Sequence, residues 1–486
     1  MAEPLIHTKT SIEFRDPYLK GSKTSETDGI EVTYPIADAI SIREAAIQVR
    51  RFAADFFSSH SRDEILEKMD KLDGYFCDLK SPEIAEWVDL TARTSGFSRH
   101  DIVKFGLGIF PLLVNYDREL RGTYIALALR SRGMIETVHG YLKRFGMMNP
   151  FRRWQEPRLI GHFISGNVVG YTSILSRIGL PVKRPGAAQI LKLPSSSAFF
   201  PLIYLEKLQK MEPDLRKTIA CGYWTGGDDS IERTIIEESD AINVLGSDAV
   251  IDDLDRRIRK YNPKIKKLFH GHKIGIAYIS SEFCESAAKL EQTLAGLVCD
   301  ISAFDGGACY NVKNIYVQGD AREFAGRLLE KMDEFAQKNS PVSPNAKRIG
   351  NDLRHIYLGS NKVLTSDTKN AFVRIKQKAE FWLPDLLYRY VQVMPVNNET
   401  EVSQIIGNHR QYLQTAVVAI PDDKILPVLE LFGKSGVSNI HHPGSAPLMH
   451  AYEEPHDREF DIIKVRYNYS ARFSSTNFKR NSDWLR

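Results

Sequence analysis

Residues 241–252 read AINVLGSDAVID: a short, mostly apolar run ending at Leu245, the turn Gly246-Ser247, then an acidic residue opening a helical stretch. A strand, a tight turn and a helix start in that order belong to a crossover unit, the building block of parallel sheets. The same texture extends outward. Leu159 to Ile164, Ala188 to Leu193, Thr218 to Tyr223 and Ile274 to Ile279 are further apolar runs, alternating with helical stretches. An α/β fold with a largely parallel sheet is therefore expected from about residue 160. Ligands of such sheets lie at the carboxyl ends of the strands, which directs attention to the polar turns.

Four turns stand out. SGNVVG (165–170) has glycines for a sharp turn and Asn167, whose amide could donate to a developing oxyanion. In Leu191 to Ser197 a strand ends in Lys192 and Ser195, a cation and a hydroxyl suited to a ribose or phosphate. Gly222 to Asp228 carries Gly226 and Gly227, and the turn Gly246-Ser247 precedes a helix, a combination that favours phosphate. None is a GxGxxG or P-loop fingerprint. Singly, each is more often an ordinary cap or turn. A fifth stretch, Asp305-Gly306-Gly307-Ala308-Cys309, runs into a β-like segment through Val317. Two glycines before a cysteine leave the sulfur uncrowded, as a thiolate nucleophile requires. A lone cysteine after a turn is more often buried and inert.

The rest of the chain sets bounds. Its 486 residues allow two or three domains, and a net charge of +4 gives no reason to expect nucleic acid. Five cysteines, an odd number without CxxC spacing, argue against a disulfide framework or zinc site and for a cytoplasmic setting. The start MAEPLIHTKTSIEF lacks a signal-peptide pattern, and no window approaches the ~20 apolar residues of a membrane span. Residues 1–40 read as an extended arm with β-like pieces. Helices follow: Ser41 with Glu44 and Ser61 with Glu64 predict capping boxes, and Ser81-Pro82 a start with proline in the first turn.

The order of the turns resembles the aldehyde dehydrogenase superfamily, where an asparagine turn, a strand-end lysine, a Gly-Ser turn and the nucleophilic cysteine follow one another. The closer resemblance is to its acyl-CoA reductase branch, the long-chain fatty acid reductases of bacterial bioluminescence. It is carried by SGNVVG (165–170), ILKLPSSSAFF (190–200), YWTGGDD (223–229), NVLGSDAVID (243–252), HGHKIGIAYI (270–279), SAFDGGACYN (302–311), QYLQTAVVAI (411–420) and EEPHDREFDIIK (453–464). Those motifs lie within about 160–465.

The resemblance implies an aldehyde-dehydrogenase-like α/β fold with an N-terminal arm and helical region (1–150). An NAD(P)H-binding domain (151–300), a cysteine-bearing catalytic domain (301–445) and a C-terminal arm (446–486) would follow. It implies that Cys309 attacks an acyl-CoA or acyl-carrier thioester, with Asn167 and the Cys309 N–H holding the oxyanion. Lys192, Ser195, Gly226, Gly227, Gly246 and Ser247 would bind the cofactor. Relatives that prefer NAD place a glutamate three residues after the lysine; Ser195 stands there, which favours NADPH, with NADH possible. Hydrolytic relatives carry a base in an ELGGK-like motif where this chain has FHGHK (269–273), so either the acyl-enzyme should survive for reduction or a histidine there does the base work. Val169 replaces a common proline, and Asp385 falls near a glutamate that positions the nicotinamide ribose. His270 and His272, with His441 and His442, invite a metal, but no carboxylate or cysteine is spaced to complete a site. No metal is expected. A homo-oligomer and acyl-transferase or acyl-synthetase partners are. The rival readings are an acyltransferase or thioesterase using Cys309 without nucleotide, and a silent scaffold docked to an acyl-activating partner.

Overall fold

The computed structural model describes residues 10–113, 157–170, 186–195, 198–339, 352, 363–368, 370–384, 388–447 and 477–479. Its strands form three sheets.

The first sheet holds β1 (Thr10–Glu13), β2 (Gly21–Thr27) and β3 (Ile30–Ile36) in the order β1-β3-β2. The segment expected as an extended arm is thus a sheet. Its hairpin turns on Asp28-Gly29, with φ of 50° and 71°, the left-handed pair that a two-residue hairpin turn demands. The helix Ala39–Ser59 follows. Its cap is Asp38, which accepts from the Ser41 N–H at 2.7 Å while Ser41 Oγ accepts from the Asp38 N–H at 2.9 Å. Ser41 is thus the third helical residue rather than the cap. Ser61 caps the helix Arg62–Cys77 in a box with Glu64, as its spacing predicts, and Pro82 opens the helix Pro82–Ser95. Ile42, Ala45, Val49, Ala53, Phe56 and Phe57 form the buried face of the first helix, against the strand Ala188–Lys192 and the helix Asp229–Glu238.

The second sheet is wholly parallel, in the order β6-β5-β4-β7-β8: Ile219–Gly222, Ala188–Lys192, Leu159–Phe163, Ala241–Leu245 and Lys266–His270. The chain builds outward from β4 to β6 on one side, then crosses back to β7 and β8 on the other. The order therefore reverses between β4 and β7, where open α/β sheets leave a crevice for ligands. The β6 edge is extended by the first sheet, since the Tyr223 N–H donates to Pro35 O (2.8 Å) and the Ala37 N–H to Tyr223 O (3.0 Å).

The third sheet has eight strands, β9 to β16, in the order β11-β12-β13-β10-β9-β14-β15-β16. Their spans are Ile274–Ile279, Val312–Val317, Val363–Thr365, Phe372–Ile375, Tyr390–Pro395, Leu413–Ala419, Asn439–His441 and Asn477–Lys479. Among these pairings β11 with β12 alone is antiparallel. β9, within the 151–300 stretch, lies at the heart of this sheet, so the chain changes sheets at Gly271-His272-Lys273. That turn is pinned: Asp248 Oδ1 accepts from the His272 N–H at 2.8 Å, and a Cβ on Gly271 would stand 2.5 Å from the same oxygen.

Candidate active site

Phe163, the last residue of β4, is in register with Lys192 of β5 on one side and Val244 of β7 on the other. The Asn167 turn, Lys192 and Gly246-Ser247 therefore leave the sheet along one edge, beside the crevice. Ser247 caps the helix Asp248–Tyr261, and the Gly246 N–H donates to His270 O at 3.2 Å. Gly226 and Gly227 follow β6 at the far end of that edge. Ser195 is exposed just past β5. Asp385 and the 453–464 motif lie outside the described residues.

Cys309 is partly exposed and precedes β10, so the sulfur sits at the amino end of its strand. The loop before it is forced into shape. Phe304 and Asp305 have positive φ (49° and 56°), as does Gly306 (74°), where a Cβ would stand 2.7 Å from Tyr388 O and 2.8 Å from Lys313 Nζ. Asp305 is tied to the fully buried Arg389 at 2.8 Å. On the other flank Asn311 Oδ1 accepts from the Ala308 N–H at 2.6 Å, and its amide donates to Asp300 O at 2.9 Å. The Asp300 carboxylate in turn accepts from the N–H groups of Gly444 (2.7 Å) and Ala446 (3.0 Å).

The two sheets meet at the asparagine turn. Asn167 Nδ2 donates to Gly307 O at 2.9 Å, and Ser165 Oγ donates to Asn167 Oδ1 at 2.6 Å. The hydroxyl fixes which end of the amide faces the cysteine loop, and the second Asn167 N–H has no acceptor among the described residues. The turn itself leans on the N-terminal helices: Gly170 has φ of 91°, and a Cβ there would lie 2.4 Å from Gly106 O. Val169 packs on Gly106, where a Cβ would stand 3.1 Å from its side chain. Phe97 meets Phe304 of the cysteine loop edge-on at 5.3 Å.

Several residues at the site escape sequence reading. Lys313, on β10, is fully buried; burial pushes its ammonium from 10.5 down to about 7. Its Nζ donates to Tyr388 O. Asp300 is also buried, which raises its carboxyl from 3.8 to about 7 against the two N–H bonds that hold it. For Lys313 the available signal is position: a strand covered on both faces buries whatever polar residue it carries. His270 ends β8 and His441 ends β15, in different sheets.

This architecture is that of the aldehyde dehydrogenases. The chain matches salicylaldehyde dehydrogenase from Pseudomonas putida G7 with a TM-score of 0.66 at 14% identity, covering 92% of each chain. It matches Delta-pyrroline-5-carboxylate dehydrogenase from Mycobacterium tuberculosis, bound with NAD and cobalamin, with a TM-score of 0.66 at 12% identity over 94% of this chain and 88% of that one. At such identity the likeness is one of fold. The family model described as acyl-CoA reductase (LuxC) matches residues 132–465, and the chain belongs to that family. Similar curated proteins are the long-chain acyl-protein thioester reductases of Vibrio harveyi (24% identical, 58% of each chain) and Aliivibrio fischeri (23% identical, 67% of this chain and 68% of that one). The first of these matches thus spans under two thirds of that relative's length. Among the described residues no helix is long and apolar enough to cross a membrane.

Proposed function

We propose that the chain reduces a long-chain acyl thioester, borne by coenzyme A or a protein carrier, to the aldehyde through an acyl-enzyme on Cys309, with NADPH as the preferred reductant. The observation that carries this reading is the Asn167 amide reaching the cysteine loop from the other sheet at 2.9 Å. It brings the asparagine amide to the loop that carries a partly exposed thiol. The Cys309 thiolate forms a bond to the acyl carbon; the carbonyl oxygen gains charge and is met by the second Asn167 N–H and the Cys309 backbone N–H. The carrier thiolate then departs, which needs little acid assistance.

The residues at the sheet edge suit a dinucleotide. Lys192 offers a cation, and the Ser247-capped helix offers N–H groups beside the crevice. Trp224, 3% exposed, keeps an indole N–H without an acceptor among the described residues, 5.6 Å from Lys192 Nζ to ring centre. A reduced nicotinamide, when bound, would supply hydride to the acyl carbon; the bond from that carbon to the Cys309 sulfur then breaks, releasing the aldehyde and returning the thiolate. The FHGHK stretch brings no carboxylate of its own. Asp248, beside it, already has one oxygen bound to the His272 N–H. These features favour reduction over hydrolysis. The test is a coupled assay: acyl-CoA should drive NADPH oxidation with an equal yield of aldehyde, and Cys309→Ala should abolish both. Release of free fatty acid alone would overturn the reading.

A further inference from the structure

Glu232, on the helix Asp229–Glu238, is 3% exposed yet carries a carboxyl group. Its Oε1 accepts from the Gly227 N–H at 2.9 Å, and its Oε2 lies 3.6 Å from Arg257 Nη1. Arg257 also donates to Gly227 O at 3.2 Å and pairs with Asp229 and Asp253. The turn after β6 is therefore held from both sides by one ion pair, of which Glu232 is the buried member, and the Gly227 N–H is committed to protein. Burial raises the Glu232 carboxyl above its ordinary range, while the Gly227 N–H, Arg257 and Lys192 pull it down and Asp253 raises it.

Lys192 is the other end of this arrangement. Its Nζ lies over Tyr223 (5.7 Å) and Trp224 (5.6 Å), and its one hydrogen-bond acceptor among the described residues is Leu193 O, at 3.5 Å. Burial lowers its proton affinity and Glu232 raises it. The ammonium thus keeps donors for a ligand and lies against the same turn, Tyr223 to Gly227, that the Glu232 carboxylate holds.

We propose that Glu232 is a specificity-determining positioning residue that tempers the preference of Lys192 for a phosphate-bearing over a hydroxyl-bearing ribose. This rests on the reading of Lys192 as the ribose end of a nucleotide site. A 2′-phosphate brought to Lys192 meets the negative charge of Glu232 as well, whereas a neutral ribose hydroxyl does not. Glu232→Gln keeps an oxygen for the Gly227 N–H and removes the charge. Arg257→Gln leaves Glu232 less neutralised and should act in the opposite sense.

The experiment is equilibrium titration of NADPH and NADH at pH 8 with the full chain, by nicotinamide fluorescence. Glu232→Gln should tighten NADPH about fivefold relative to NADH, and Arg257→Gln should shift the ratio the other way. A merely structural defect would weaken both nucleotides alike. If the wild type binds both and neither variant moves the ratio by twofold, or the signs are reversed, the role of Glu232 is wrong. Should Glu232→Gln not fold, the sign of the Arg257→Gln shift decides. A wild type that binds neither nucleotide overturns the site itself, and the inference with it.

Discussion

Lys313 stands four residues past Cys309, the proposed nucleophile, and is fully buried, which strips its charge of solvent. Between about pH 7 and 10.5 the unfolded chain holds a proton that the folded chain has shed. Stability therefore rises with pH across that window, and below it the buried ammonium opposes folding in full. Lys313→Met should flatten the rise in melting temperature between pH 7 and 10; an unchanged slope in the variant would show that the lysine is not its source. The opposite situation holds at Asp16, whose carboxylate pairs with Arg216 at 2.8 Å and accepts from the Cys221 N–H at 2.9 Å. Both partners are almost wholly buried. Asp16→Ala would leave a buried guanidinium unpaired and should cost about 3–5 kcal/mol in denaturant titration; a loss under 1 kcal/mol would mean that water reaches the arginine. None of Asp16, Lys313 and Asp300 draws notice in the sequence, because a charge there looks like any surface charge until the covering elements are known.

At the scale of elements, two turns do the positioning. The asparagine turn 165–170 is legible in outline, from the glycines after an apolar run, but its anchor is not. That anchor is Gly106, some sixty residues earlier in a π-helical turn, Ile102–Gly106. Gly170→Ala meets both a left-handed backbone and the Gly106 carbonyl, so the turn must move. A displacement of about 1 Å at Asn167 can lower the acylation rate by about 10²-fold, readable as a slower burst of released carrier thiol; an unaltered burst would show that the turn is free to relax. Asn167→Ala, with the backbone intact, should lower that rate by about 10²–10³-fold. The hairpin of β2 and β3 was legible too, in the Asp28-Gly29 pair, yet reads as an arm when only the polar composition of residues 1–40 is weighed. Asp38 displaces Ser41 as the cap for a local reason: its carboxylate reaches the Ser41 N–H one turn earlier.

Across the whole molecule, the site is an edge-to-edge junction. The five-stranded sheet presents carboxyl ends, and the cysteine arrives at the amino end of a strand in the other sheet. Sequence order shows the parts in the right succession, which is why the resemblance to the family could be seen. It does not show that the rule of carboxyl ends applies to one sheet and not to Cys309, since that depends on how the sheets face each other. Nor does it show that the N-terminal helices reach the site through Phe97 and Gly106. The claim on which the rest depends is covalent: an acyl group passes from its carrier to one sulfur. Incubating the full chain with a long-chain acyl-CoA and no nucleotide, then mapping the mass change by peptide analysis, tests it most directly. The acyl mass should appear on Cys309 and be discharged when NADPH is added. An unmodified Cys309, or an acyl group carried on another residue, would contradict the account.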